Sequence, residues 1–229
     1  MMSIREVCRE IEILTCSKPS TTTSLISCGI LRRYKKGERV FMEREQVGCV
    51  YFLAEGTAAI YKVNQQQDKK VIFICGKGEL LSITVLPSIL TASECEMLTD
   101  GLILSFPSAQ FKALMAADPW LSERIMEDMA KKIGRLYRQL ANTTNTTLID
   151  QQIAAKLWKL ARDHGVPTDE GIEIGFNLPI TYLADLVGST RETVSRQVKR
   201  LMEKELIQWS KNRFVIKDMD QLANYSKET

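Results

Sequence analysis

ITYLADLVG, residues 180–188, runs directly into STRETVSRQVKRL, residues 189–201, and the reading of this stretch decides the fold of the C-terminal third of a 229-residue chain. The first segment predicts a short helix that turns Leu183, Ala184 and Val187 inward, and Gly188 supplies the turn. The second, continued by MEKELI, predicts another helix with Val194, Val198, Leu201 and Met202 on its inner side. Two short helices joined through a glycine form a helix-turn-helix. What remains outward at the front of the second helix is Arg191, Glu192, Ser195 and Arg196. A recognition helix presents side chains to the major groove at that place, where arginine pairs with guanine O6 and N7 and glutamate accepts from cytosine N4. The competing reading of Glu192 is a capping box with Ser189, three residues earlier, which would tie down the helix start without touching a base. Arg191 and Arg196 have a competing reading as phosphate contacts that fix register only.

Around this stretch the charge is lopsided. Gly188 to Lys217 holds eight Lys and Arg against three Glu, a local +5 in a chain of net +3, which leaves −2 elsewhere. A concentrated basic segment suits a polyanion, because each cation that meets a phosphate releases condensed counterion. Thr181, Ser189, Thr190, Thr193, Lys199 and Lys211 are the candidates for contact with the DNA backbone. LIQWS and RFVIKD, separated by Lys211 and Asn212, predict a two-stranded wing behind the helices. Upstream, LIDQQIAAKLWKLARDHG predicts an amphipathic helix ending at His164 and Gly165, with imidazole near the negative end of the helix dipole.

Residues 25–110 have a different texture. RVFMERE, CVYFLAEG, TAAIYKV, KVIFICG, ECEML and LILSFP are short β-branched and aromatic runs, with Gly48, Gly56, Gly76 and Gly78 at the bends and the polar NQQQD as a hairpin tip. Strands at this spacing predict an antiparallel, jelly-roll-like β-roll. From Pro119 to Ala141 a helix places Met126, Met129, Ile133, Leu136 and Leu140 at alternating steps of three and four, the period of a two-stranded coiled coil. Charged residues occupy much of its remaining surface, which favours a dimer seam over packing on its own roll, while Leu121 and Ile125 suit contact with the roll. NTTNTT, residues 142–147, breaks the pattern as a hinge. The expected organisation is therefore α+β: a β-roll sensor over 1–118, a dimerisation helix and hinge over 119–147, and a winged helix-turn-helix over 148–229.

Composition excludes other classes. At 45% apolar and 26% charged residues the chain is that of a soluble globular protein. Its apolar runs stop short of the roughly 20 residues of a membrane span, so no membrane partner and a cytoplasmic location are expected. Cys8, Cys16, Cys28, Cys49, Cys75 and Cys95 contain no CxxC pair and are expected as reduced thiols. His164 is the single histidine, so neither a Ser-His-Asp triad nor a histidine-rich metal site can form without taking this helix-end residue. No catalytic residue and no metal ligand is assigned, and an enzyme is not expected.

ITYLADLVGSTRETVSRQVKRLMEKELI, and RETVSR above all, resembles the DNA-binding signature of the CRP/FNR superfamily of bacterial transcription regulators. The likeness extends over nearly the whole chain, since the order of β-roll of the cyclic-nucleotide-binding type, long dimer helix and winged helix-turn-helix is the same. The resemblance implies a homodimer on an inverted repeat of double-stranded DNA, with a G·C pair recognised by Arg196 and Glu192, and RNA polymerase as a partner. It also implies a small effector, held by Glu79, Leu80, Ile83, Thr91 and Ala92 of the roll with Leu136 and Tyr137 of the helix. GKGELL, residues 76–81, resembles the loop that sets a glutamate on ribose, which would be Glu79. The arginine expected about ten to thirteen residues later to neutralise a cyclic phosphate is missing: the chain reads SILTASEC there, with no arginine between Lys77 and Lys112. Cyclic AMP is accordingly disfavoured, because a buried phosphate needs a cationic partner. Haem with a histidine ligand fails for want of a histidine in the roll, and an iron–sulfur cluster is poorly served by the spread of Cys8, Cys16 and Cys28, although one borrowing Cys95 stays open. A redox- or iron–sulfur-responsive regulator of the same family, and a ligand-binding module that never touches DNA, are the alternatives.

Overall fold

Ser3 opens the first ordered element by donating its backbone N–H to the Glu6 carboxylate while its hydroxyl accepts from the Glu6 N–H, a complete capping box for α1 (Ile4–Glu10). The structure, a computed structural model, describes residues 2–15, 18–46, 48–63, 69–82, 90–142 and 149–227. The expected hairpin tip at 64–68, Cys16, the pocket residue Ile83 with its neighbours Val85, Leu86 and Ile89, and residues 143–147 of the expected hinge lie outside that set. Two compact units, Met1–Gly134 and Arg135–Thr229, divide the chain within the long helix.

In the first unit α1 is followed by α2 (Glu12–Thr15) and α3 (Pro19–Cys28), and then by the strands β1 (Ile30–Tyr34), β2 (Arg39–Phe41), β3 (Cys49–Glu55), β4 (Ala58–Val63), β5 (Lys69–Cys75), β6 (Glu94–Met97) and β7 (Gly101–Pro107). These form two antiparallel sheets, ordered β1-β7-β3 and β2-β6-β4-β5. Between them Phe41, Ile60, Phe73, Cys95, Met97 and Ile103 build one core. A second core lies beneath the three-stranded sheet, where Phe52, Phe106 and Phe111 meet with ring centroids 5.5–6.0 Å apart. Val7, Leu14 and Leu25 of the N-terminal helices join this second core, as do α4 (Ser108–Ala117) through Phe111 and α5 (Pro119–Asn142) through Leu121 and Ile125. Helices α1, α2 and α3 thus form a helical cap on the roll, an element that strand-based patterning did not reveal.

The second unit continues with α6 (Ile149–His164), β8 (Gly165–Thr168), β9 (Gly171–Ile174), α7 (Ile180–Val187), α8 (Arg191–Glu203), β10 (Ile207–Ser210), β11 (Arg213–Ile216) and α9 (Met219–Tyr225). The expected wing is the β10–β11 hairpin, with Ile207 paired to Ile216 and Ser210 to Arg213. It is extended by β9 and β8 into a four-stranded sheet. The β8–β9 hairpin went unread because Pro167 and an acidic turn interrupt its pattern, and an edge strand tolerates such a proline. α6 ends at His164 as expected, with the imidazole edge-on to Phe176. Gly165 is needed for close packing: an added Cβ would lie 2.1 Å from the Ala161 carbonyl oxygen and 2.3 Å from Ile172.

Candidate nucleic-acid interface and effector region

α7 ends because Gly188 takes a left-handed conformation (φ 72°), and the Ser189 N–H then reaches back to the Ala184 carbonyl at 3.0 Å. This tight exit leaves Thr190 as the N-cap of α8, its hydroxyl accepting from the Thr193 N–H at 3.2 Å and sitting 3.0 Å from the Thr193 hydroxyl. The competing capping box from Ser189 is therefore not the cap of α8. The cap lies one residue later, because the Ser189 backbone is spent on closing α7. Glu192 consequently falls at the second helical position and lies outside any capping box.

α8 is held from behind. Val194, Val198 and Leu201 are buried, and Gln197 joins them, whereas Met202, expected inward, is 36% exposed. Residues 194, 198 and 201 follow steps of four and three, and 202 lies about 100° beyond 201 around the helix. On the opposite face Arg191, Glu192, Arg196 and Lys199 are exposed and Ser195 is half-buried. Thr181, at the start of α7, and Thr190 are exposed, while Ser189 and Thr193 are half-buried in the turn. Lys211 sits in the two-residue turn of the wing, where both it and Asn212 have positive φ, 48° and 62°. This turn type matches the twist of the flanking strands. The Asn212 carbonyl accepts from the Leu178 N–H at 2.7 Å, so the wing tip is tied to the segment that leads into α7. The same unit carries Lys156 on α6, whose amine is pushed down to about 8 by desolvation and then by the charges of Lys159, Arg135 and Arg138.

In the roll, the loop after β5 folds onto β3: Gly78 N–H donates to the Leu53 carbonyl, Leu53 N–H to Glu79, and Leu81 N–H to Tyr51. The Glu79 carboxylate accepts from the Gly76 N–H at 2.8 Å, which fastens its own loop. Leu80 and Thr91 are buried, Ala92 is exposed, and the Thr91 hydroxyl is engaged with the 42–45 turn through the Met42 carbonyl and the Glu45 N–H. The sequence did not disclose Lys132. Its side chain is 4% exposed, its ammonium donates to the Leu80 carbonyl, and it pairs with Asp128 at 2.8 Å. Leu136 and Tyr137 belong to the second unit, and Tyr137 is 69% exposed.

Along α5 the exposed large apolar residues are Trp120 (52%), Met126 (60%), Ile133 (51%), Leu136 (39%), Tyr137 (69%) and Leu140 (67%). Met129 is half-buried and packs against the second core. Of the expected seam, Met126, Ile133, Leu136 and Leu140 are exposed while Met129 is not, and Ala130 and Tyr137 are exposed beside them. Met129 and Lys132 face the roll instead.

Comparison with known proteins agrees with this geometry. Residues 31–118 match the cyclic nucleotide-binding domain family, and residues 151–225 match the Crp-like helix-turn-helix domain. The chain belongs to the CRP/FNR family of transcription regulators. This regulator is 22% identical over 193 residues to the global nitrogen regulator of Nostoc sp., covering 82% of the present chain and 85% of that protein. To the CRP-like cAMP-activated global transcriptional regulator of Mycobacterium tuberculosis it is 21% identical over 195 residues, with 85% and 87% covered. Its fold superimposes on FixK2 of Bradyrhizobium japonicum with a TM-score of 0.70 at 16% identity, covering 88% of this chain and 98% of the other. The Nostoc and Mycobacterium tuberculosis relatives are both named as global regulators. Among the regulator's described residues no His, Cys, Asp and Glu cluster could hold a metal ion, and no helix is long and apolar enough to cross a membrane.

Proposed function

We propose that this CRP/FNR regulator acts in the cytoplasm as a homodimer on an inverted-repeat operator, reading each half-site with Arg191, Glu192, Ser195 and Arg196. The observation that carries the reading is the exposed front of α8, where Thr190 supplies the cap and leaves the Glu192 carboxylate beside Arg191 and Arg196 for base edges. Thr181, Ser189, Thr190, Thr193, Lys199 and Lys211 meet phosphates and fix register. The exposed line from Met126 to Leu140 meets its counterpart on a second copy, and RNA polymerase is the downstream partner.

The effector is a small molecule other than cyclic AMP. Glu79 is engaged with Gly76, the loop brings no arginine, and Lys132, the cation that reaches Leu80, is matched by Asp128. A thiolate sensor is disfavoured: burial pushes the Cys8 thiol up to about 11, with the neighbouring Cys28 adding to the effect, and burial also raises Cys28 and Cys49. An effector acts only through its difference in affinity for the DNA-binding and non-binding states.

The test is selection of bound duplexes from a random pool by the full chain, with and without reductant. An enriched inverted repeat with a G·C pair in each half-site supports the reading, and its loss in Arg196→Ala assigns the base contact. Equal recovery of all sequences overturns it.

A further inference from the structure

The loop of residues 76–82 is held on two sides. Toward β3 it is hydrogen-bonded at Gly78, Glu79 and Leu81. Phe52 and Leu80 face each other in an antiparallel bridge, so the flanking residues make those bonds and the Leu80 carbonyl points away from β3. That carbonyl would be buried without a partner if α5 did not bring Lys132 to it. Lys132 is itself almost wholly buried, and Asp128, one helical turn earlier and 14% exposed, neutralises it. A buried ion pair is a costly way to fill space: apolar residues of similar size often give equal or greater stability. What a point charge on α5 adds is a directional contact, present at one placement of the helix against the loop and lost when either slides by a few ångströms.

We propose that Lys132, neutralised by Asp128, is the positioning residue that couples the 76–82 loop of the roll to α5, so that the DNA-binding state of the regulator and the state of this loop are linked through it. The inference rests on the DNA-binding reading above and specifies how its regulation is transmitted. Coupling between two sites is reciprocal: if the loop biases operator affinity, operator binding changes the loop by the same factor. The effector therefore need not be known for the test.

The experiment is hydrogen exchange of the full chain, read by mass spectrometry on peptides spanning 76–82, with and without a duplex carrying the selected operator. Two proteins are compared, the wild type and Lys132→Met combined with Asp128→Leu, a pair of changes that removes both charges together. In the wild type, operator binding slows exchange at Gly78 and Leu81 by about fivefold or more. In the double variant that change disappears, while operator binding stays within about tenfold of wild type. An unchanged wild-type loop overturns the proposal without recourse to any variant. So does a DNA-dependent change that persists in the double variant, or a folded double variant that no longer binds the operator. Failure of the wild type to select any operator would instead refute the DNA-binding reading itself.

Discussion

The buried Asp118 carboxylate accepts the backbone N–H of Lys18 at 2.7 Å, across one hundred residues of sequence. Its other oxygen accepts the Trp120 N–H at 3.1 Å, so one side chain starts α5 and pins the start of α3 beside it. Asp118→Ala would remove a cap and strand a buried donor, and a loss of about 2–3 kcal/mol is expected in urea denaturation. Burial acts to raise the Asp118 pKa, but hydrogen bonds from Lys18, Thr21, Leu121 and Trp120 lower it by more. A carboxyl depressed in the folded state contributes stability above the ordinary carboxylate range, and that contribution is lost as pH falls through its folded value. Asp118→Asn should therefore flatten the acid limb of the stability profile.

The α8 turn gives a second expectation. Thr190→Ala should cost about 1 kcal/mol in thermal or urea denaturation, because the Thr190 hydroxyl caps the helix. Ser189→Ala should cost less than about 0.5 kcal/mol, as surface changes away from a cap do. The opposite order would restore the Ser189 capping box and return Glu192 to a structural role.

For DNA, Arg196→Ala should cost about 1–3 kcal/mol on the selected operator and relax discrimination at one base pair. Lys199→Ala and Lys211→Ala should weaken operator and random duplex alike and lower the slope of log affinity against log salt by about one each. Equal losses on both duplexes for Arg196→Ala would reduce it to a phosphate contact.

Association should follow the exposed line of α5. Ile133→Asp places a carboxylate at its centre and should dissociate the dimer in sedimentation velocity, weakening association by at least about tenfold. Met129→Ala should act mainly on stability, since Met129 packs on the core of its own chain. A dimer that is insensitive to Ile133→Asp and Tyr137→Glu would place the seam elsewhere.

Lys156 sets an alkaline expectation. Its amine is lowered to about 8 by desolvation and by its three cationic neighbours, so between about pH 8 and the ordinary lysine range the unfolded chain binds more protons than the folded one. Stability contributed by this group rises with pH through that window. Lys156→Met should be most favourable relative to wild type below pH 8, by on the order of 1 kcal/mol, and the advantage should fade toward pH 10.5. The raised thiols of Cys8, Cys28 and Cys49 have the opposite sign, being neutral in the fold and ionising on unfolding. Only the difference between variant and wild type isolates the amine.

The sequence by itself determined the helix-turn-helix, the wing and the strand-rich roll, because each is specified by neighbours in the chain. Gly188 stops α7, Val194, Val198 and Leu201 repeat with the helical period, and Lys211–Asn212 fits a two-residue turn. That Arg191, Glu192 and Arg196 are exposed at the front of α8 followed from the same local period. Only the tertiary structure decided that Met129 is held on the core of its own chain while Ala130 is exposed, because neighbours on a helix lie about 100° apart and both are apolar in sequence. Burial of Met129 and Lys132 toward the roll settled it. The N-terminal cap has the same origin: Val7, Leu14 and Leu25 carry no strand signal, and their partners Phe52 and Phe106 lie far along the chain. Lys132 shows the limit most plainly. A lysine among charged neighbours reads as solvent-facing until a carbonyl 52 residues earlier, turned away from β3, is found to need a donor.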